Sequence, residues 1–159
     1  MFGLFGGGSE QQVSEGSINE VSGLIENFFQ KVGLNAHQQQ IQTNNGVGWT
    51  IRRGSAEVFI FVHDSENGPI LRVLSPCVYM PASNLVAFYR KLLDINMKLL
   101  GCAMAMDRDI AVCIAMRPTR GIGQDELDAV VDLVSGTSDM LDNELSTEFG
   151  ARIYSEQPQ

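Results

Sequence analysis

Apolar and polar residues follow two different periods along this chain, and together they predict three helices and five strands. The first helix begins at Ser17, which forms a capping-box pattern with Glu20 three residues later. Gly33 provides a C-terminal stop. Apolar residues recur at three- and four-residue spacing between these signals, at Ile18, Val21, Leu24, Ile25, Phe28, Phe29 and Val32. This pattern indicates an amphipathic helix that docks on a sheet.

Three strands are predicted next. The segment Val47–Arg53 alternates apolar and polar residues, which is typical of a half-buried strand. The segment Ala56–His63 is apolar on both faces, so we expect a central strand covered on both sides. Ile70–Tyr79 gives the third strand, and Pro76 places its later part at an edge or a bulge. The polar residues 38–42 fit either a loop or an edge strand.

A second amphipathic helix is predicted from a cap at Ser83 or Asn84 to a stop at Gly101. Its apolar positions are Leu85, Phe88, Tyr89, Leu92, Ile95 and Leu99, widened by Leu93 and Leu100. Asn96 lies beside this stripe. It is either a boundary residue with ordinary hydrogen bonds or a buried amide that fixes packing or a dimer register.

A β-hairpin follows, with Arg108 and Asp109 as its two-residue turn. This register places Cys102, Met104, Met106, Ala111, Cys113 and Ala115 on one face, and Ala103, Ala105, Ile110, Val112, Ile114 and Met116 on the other. Both faces are apolar, so both are expected to be covered. Helices of the same chain are expected to cover one face of the hairpin. The third helix or a second copy of the chain is expected to cover the other face.

A third helix opens at residues 123–126 and continues to Phe149. The predicted fold class is therefore α+β, in the order α-βββ-α-ββ-α, with an antiparallel twisted sheet and helices packed mainly on one face. We expect a single domain over residues 17–150, a flexible Gly-rich tail over residues 1–16 and a C-terminal tail over residues 151–159. Within the first tail, Phe2, Leu4 and Phe5 form either an apolar contact segment or part of an ordinary tail.

Six short segments in the second half of the chain carry a family resemblance. They are Leu92-Leu93-Asp94-Ile95-Asn96, Gly101 with the alternating residues after it, the turn Asp107-Arg108-Asp109, the second hairpin strand, Arg117-Pro118-Thr119, and Asp125-Glu126-Leu127. Over residues 17–149 the chain resembles the YbjN-like family, which shares the type III secretion chaperone fold. The resemblance implies a non-enzymatic protein. Secretion chaperones of this fold form homodimers that hold extended effector segments, and YbjN-like proteins are linked to stress and regulation.

Composition excludes several classes of function. The chain has 159 residues, is 44% hydrophobic and contains no apolar run of membrane-spanning length, so association with a membrane is not expected. Eleven basic and nineteen acidic residues give a formal net charge of -8, which argues against nucleic acid as a partner. Its three cysteines form no CxxC pair. We interpret them as buried apolar residues in a reducing, cytoplasmic setting rather than as redox or metal-binding residues.

No catalytic motif is apparent, so we expect neither an enzyme nor a cofactor. His37 and His63 are the only histidines. His63 precedes a turn beside Asp64 and Glu66, but a metal site there requires convergent ligands that this pattern does not supply. No metal site is predicted.

The leading hypothesis is a protein-binding module with chaperone-like, adaptor or regulatory character. It would accept an extended segment of a partner protein at a sheet edge or in an apolar groove. The partner-binding residues predicted for this surface are Phe59, Phe61, Met104 and Met106. We also expect a homodimer. The alternative hypothesis is a regulatory domain that binds a small apolar ligand in the cleft between sheet and helices.

Overall fold

A computed structural model of the protein describes residues 17–155. The predictions for residues 1–16, including Phe2, Leu4 and Phe5, lie outside these described residues, as do those for residues 156–159. The helices are α1 (Ile18–Lys31), α2 (Leu85–Asn96) and α3 (Gln124–Phe149), with a short 3-10 turn at Ala36–Gln39. The strands are β1 (Gln40–Ile41), β2 (Val47–Arg53), β3 (Ala56–His63), β4 (Ile70–Tyr79), β5 (Ala103–Asp107) and β6 (Ile110–Pro118). The predicted α+β fold class is confirmed, and β1 is added to it.

The six strands form one antiparallel sheet in the order β1-β2-β3-β4-β6-β5. The two alternatives left open by the sequence are thereby decided. Residues 40–41 form an edge strand against β2. Pro76 lies at a bulge between β4 and β6, where the register shifts between Pro76 and Val78. A proline fits there because it cannot donate a hydrogen bond to a regular ladder.

Helix α1 begins as its sequence predicts. The Ser17 hydroxyl accepts a hydrogen bond from the Glu20 backbone, and the Glu20 carboxylate accepts one from the Ser17 backbone. Its buried side chains are Val21, Ile25, Phe28 and Phe29. The Gln124 amide donates to the Leu24 carbonyl, and Lys31 pairs with Asp128. These contacts hold α1 against the first turns of α3.

The two faces of the sheet have different surroundings. We call the face that packs against the helices the helix face, and the opposite one the open face. Side chains of α3 bond to strand side chains that include Ser75, Cys77, Arg53 and Arg117. The Ser75 hydroxyl, for example, lies 2.8 Å from that of Ser138. Fully buried apolar residues of the helix face include Val58, Ile60, Val62, Leu71, Val73, Val78, Ala111 and Cys113. The hydrophobic core therefore lies between this face and the helices.

Three sequence predictions need correction. Helix α2 ends at Asn96 rather than at Gly101, because the next residues form a turn in which Lys98 bonds to the Ile95 carbonyl. Strand β3 is central, but the side chains of its second face, Glu57, Phe59, Phe61 and His63, are only half-buried, because the helices pack against the other face. Residues 151–153 are not simply a tail. The Ile153 backbone bridges to Val78 and extends the sheet.

Candidate functional site

The open face carries two neighbouring rows of side chains that run across the strands. From β3 to β5 the first row is apolar: the strand register aligns Phe59 with Leu74, Leu74 with Ile114, and Ile114 with Ala103. The second row lies two residues further along each strand and consists of Gly48, Phe61, Arg72 and Met116. Side chains two residues apart share a face, so the two rows form one surface. We call these eight residues the open-face patch.

Phe59 and Phe61 form the aromatic part of the open-face patch. Their rings are parallel to within 2°, with centroids 6.3 Å apart. Gly48 makes room for the second ring, because a Cβ atom at position 48 would lie only 2.8 Å from Cδ1 of Phe61. Both phenylalanines are half-buried. The rings therefore present an aromatic surface that is shielded partly by neighbouring strands.

A small cavity opens beside this aromatic pair. It has a volume of about 240 Å³ and is lined by Asn45, Phe61, His63 and Arg72. The loop that carries Asn45 approaches β3 closely at Gly46, where a Cβ atom would collide with the Val62 carbonyl oxygen. Arg72 is half-buried, and its Nε atom is buried without a hydrogen-bond partner. The cavity thus combines an aromatic wall with a cationic side chain.

The two predicted methionines lie on the other side of the sheet. Met104 is only 5% exposed and belongs to the hydrophobic core, and Met106 packs against that core. The structure therefore brings Phe59 and Phe61 together on the open face but does not bring Met104 and Met106 to the same surface. The sequence missed this separation because both faces of the hairpin are apolar, so alternation alone does not show which face the helices cover.

Asn96 connects α2 to the edge strand β5. Its Oδ1 atom accepts a hydrogen bond of 2.6 Å from the Met104 backbone N–H, and its Nδ2 atom donates one of 3.1 Å to the Met104 carbonyl. These are the two backbone groups that Met104 presents away from β6. The side-chain amide thus takes the place of a neighbouring strand at this position. Asn96 fixes the packing of α2 and closes part of the β5 edge.

Helix α2 leaves an apolar stripe in solvent. Its inward side chains Phe88, Leu92 and Ile95 are buried. Four apolar side chains on the helix and in the turn after it are between 67% and 88% exposed, namely Val86, Leu93, Met97 and Leu100. These four side chains recur at three-, four- and seven-residue spacing, and a group of exposed apolar residues on one element can mark an interaction site.

Other candidate chemistry finds little support in the geometry. Burial raises the pKa of the Cys77 thiol to about 11, and it also raises the pKa of Cys113. A raised thiol pKa disfavours the reactive thiolate. Within residues 17–155, no three His, Cys, Asp or Glu side chains are arranged to hold a metal ion. Over the same residues, no helix has the length and apolarity needed to cross a membrane.

The alternative of a small apolar ligand between sheet and helices also lacks support. That space is filled by side chains such as Ile25, Phe29, Leu127, Leu141 and Leu145, all at most 2% exposed. The cavity beside Phe61 lies on the opposite face, and its volume is below the range of about 300–1,000 Å³ that is usual for ligand pockets. It is suited to one side chain or a terminal group rather than to a whole ligand.

Several residues of the open-face patch were not predicted from the sequence, namely Gly48, Arg72, Leu74 and Ile114. Arg72 had a usable signal, because it is the single charged residue of the central strand β4. A charge at such a position calls for a partner or a function. Leu74 and Ile114 had no such signal, since their alignment with Phe59 depends on strand pairing.

The fold is similar to those of known secretion chaperones. One match is the structure titled as the ExsC–ExsE complex, with a TM-score of 0.62, 11% identity, and coverage of 80% of this chain and 95% of that one. A second is the heterodimeric ExoU–SpcU complex from the type III secretion system of Pseudomonas aeruginosa, with a TM-score of 0.55, 14% identity, and coverage of 75% and 95%. A third is the Yersinia pestis secretion chaperone SycH in complex with a fragment of YscM2, with a TM-score of 0.51, 18% identity, and coverage of 76% and 98%.

At these identities the three structures establish the fold alone. No curated protein matches the chain in sequence. A family model does match it, over residues 32–157, and is described as TY-Chap1, the "T3SS (YopN, CesT) and YbjN peptide-binding chaperone 1". This match covers most of the chain and agrees with the resemblance found in its sequence. The chain therefore belongs to the family of type III secretion and YbjN peptide-binding chaperones.

Proposed function

We propose that this protein is a non-enzymatic, cytoplasmic chaperone or adaptor that binds an extended segment of a partner protein on its open-face patch. The family is described as peptide-binding, and the three similar structures are complexes of two proteins. The observation that carries the proposal is the open-face patch itself. It places aromatic and aliphatic side chains on a sheet face that the described helices leave uncovered.

The geometry of a sheet suits an extended segment. The two rows of the patch are two residues apart along each strand, which matches the spacing of same-side residues in an extended peptide. Phe59, Leu74 and Ile114 provide a continuous apolar row, and the parallel rings of Phe59 and Phe61 connect it to the second row. Burial of such side chains contributes about 25 cal/mol per Å² of apolar surface removed from water. An extended partner therefore gains affinity by placing alternate apolar residues on this face.

The proposal is tested by capture from native lysate with tagged protein, followed by mass spectrometry. The double variant Phe59→Ser, Phe61→Ser removes the aromatic surface. Leu34→Ser is the matched control, because Leu34 is also an exposed apolar residue but lies after α1, outside the patch. All three proteins are first checked for folding by circular dichroism.

We expect a stoichiometric partner that is captured by the wild type and the control but lost with the double variant. Equal capture by all three proteins, or the absence of any enriched protein with a folded wild type, would contradict the proposal. A synthetic peptide from the captured partner then shows by titration whether an unfolded segment is sufficient for binding.

We further propose that the protein is a homodimer whose interface includes the exposed stripe of α2. The supporting observation is the exposure of Val86, Leu93, Met97 and Leu100. The test is multi-angle light scattering at micromolar concentration, with Leu93→Glu as the perturbing variant and Asp94→Lys as a charge-changing control on the same helix. We expect a dimeric mass for the wild type and the control, and a monomeric mass for Leu93→Glu. A monomeric wild type would refute the dimer.

A further inference from the structure

Arg72 is an unusual cation in this protein. Among residues 17–155, five other basic side chains form ion pairs, namely Lys31, Arg53, Arg90, Lys91 and Arg117. Arg72 forms none of these pairs. It lies on the central strand β4, between Phe61 and Met116 in the strand register, and it is not exposed. Arg52, Lys98, Arg108 and Arg120 also form none of these pairs, but all four are exposed, so their charges are solvated. Arg72 differs from them because it combines the lack of such a pair with partial burial.

The guanidinium is also incompletely bonded. Its Nε–H is buried and has no hydrogen-bond partner among the described residues. Leaving a buried charged donor unpaired is unfavourable, whereas a carboxylate accepts two parallel hydrogen bonds from guanidinium with matching geometry. The cavity of about 240 Å³ beside Arg72 provides space for such a group. Asn45 and His63 line the same cavity and provide further polar atoms.

We propose that this cavity is a carboxylate-binding site in which Arg72 recognises an acidic group of the bound partner segment. The inference rests on the proposed function and adds the chemistry of the partner. The carboxylate belongs either to an Asp or Glu side chain or to the C-terminus of the segment. Phe61 borders both the cavity and the apolar row.

The two rows also set a spacing. Phe59 and Leu74 lie two residues along their strands from Phe61 and Arg72, respectively. If a bound segment extends along β3 and β4 with its carboxylate in the cavity, the side chain two residues from that carboxylate therefore lies on the first row. We expect that side chain to be apolar. The predicted partner motif is an acidic residue separated by one position from a large apolar residue.

The experiment is a selection from a random displayed peptide library on the purified full chain, with wild type and Arg72→Glu compared. An enriched peptide is then synthesised with either a free or an amidated C-terminus, and also with its acidic residue changed to the amide. Binding of each peptide is measured by fluorescence polarisation to wild type, Arg72→Gln and Arg52→Gln. Arg52 is the matched control, because it is an exposed arginine on the open face that lies opposite Glu57 and away from the cavity.

We expect the selection on the wild type to enrich acidic peptides with the stated spacing. The selection on Arg72→Glu should lose or reverse this preference for acidic peptides. Arg72→Gln should weaken binding on the order of tenfold to a hundredfold, and the amide-substituted peptide should show no further loss. Arg52→Gln should change binding by less than about threefold. Amidation of the C-terminus removes affinity only if the terminal carboxylate is the group bound.

Two outcomes would overturn the inference and are distinguishable. If the wild type enriches no peptide family, the proposed function fails and the carboxylate site fails with it. If peptides are enriched without a shared carboxylate, or if Arg72→Gln binds as well as Arg52→Gln does, the carboxylate site is wrong while peptide binding stands. Thermal unfolding of each variant confirms that the chains compared are folded.

Discussion

Substitution of Asn96 by alanine is the sharpest test of how the edge of the sheet is held. The change removes both hydrogen bonds to the Met104 backbone, of 2.6 and 3.1 Å. Each bond contributes about 1 kcal/mol, and leaving the partly buried N–H and C=O of Met104 unpaired adds a further penalty. We therefore expect the free energy of unfolding to fall by about 2–3 kcal/mol. For a chain of this length, that corresponds to a decrease in Tm of roughly 5–10 °C.

The assay is denaturation in guanidinium chloride monitored by circular dichroism, together with amide hydrogen exchange at Met104. Asn67→Ala is the control, because Asn67 is an exposed asparagine in the turn before β4, and its substitution should cost less than about 0.5 kcal/mol. Exchange at Met104 should accelerate in Asn96→Ala by more than exchange in the core strand β3. The explanation fails if Asn96→Ala and Asn67→Ala have the same stability, or if exchange at Met104 is unchanged.

Three further predictions concern packing, thiol chemistry and ion pairing. Gly48→Ala should destabilise the protein by about 1–3 kcal/mol and displace Phe61, because the added Cβ atom meets the Phe61 ring. Denaturation measures the loss of stability, and the NMR signals of the Phe61 ring measure the displacement. Unchanged chemical shifts of the ring would contradict the contact. In the folded protein, a thiol reagent at pH 8 should modify half-buried Cys102 before Cys77, because burial raises the pKa of the Cys77 thiol to about 11. Peptide mass spectrometry gives the order of modification. Labelling of Cys77 before Cys102 would refute this prediction. Lys91→Met should lower the free energy of unfolding by less than about 1 kcal/mol, because Lys91 pairs with two acids of α3 in a partly solvated position. The loss of stability should be smaller at high salt. A loss of stability that does not depend on salt would contradict stabilisation by these ion pairs.

The sequence predicted the order of the main elements because their signals are local. The capping box at Ser17 depends on residues within one turn, and it forms as predicted. The two-residue turn at Arg108 and Asp109 also forms, and Arg108 adopts the positive φ of 56° that such turns favour. Alternation and turn chemistry therefore determine where the larger elements lie along this chain.

Long-range features were harder to predict. The two-residue strand at Gln40–Ile41 is too short to show a period, and the bridge between Ile153 and Val78 uses backbone groups that every residue has. The open face could not be distinguished from the helix face in the hairpin, because both are apolar. That distinction depends on which face the helices cover, and it appears only in the folded chain, where Met104 is buried and Met106 packs against the core.

The candidate site was predicted in part. Phe59 and Phe61 were found from the apolar second face of β3, but Met104 was assigned to the same surface without knowledge of which hairpin face the helices cover. Arg72 was overlooked as one charge in a strand. Its significance depends on burial, on the cavity beside it and on the absence of a bonding partner for Nε among the described residues, all of which are properties of the folded chain.

The central claim is that a partner segment lies on the open-face patch, and site-specific photo-crosslinking tests it most directly. Phe59 is replaced by p-benzoylphenylalanine, which keeps an aromatic ring at the patch, and Thr147, which is exposed on α3, is replaced in a parallel protein. We predict that irradiation in lysate joins a partner protein to position 59, with the cross-link mapping to one short segment of that partner, and yields no such product from position 147. A cross-link of equal yield from both positions, or none from position 59 while the partner is still captured, would contradict binding at the open face.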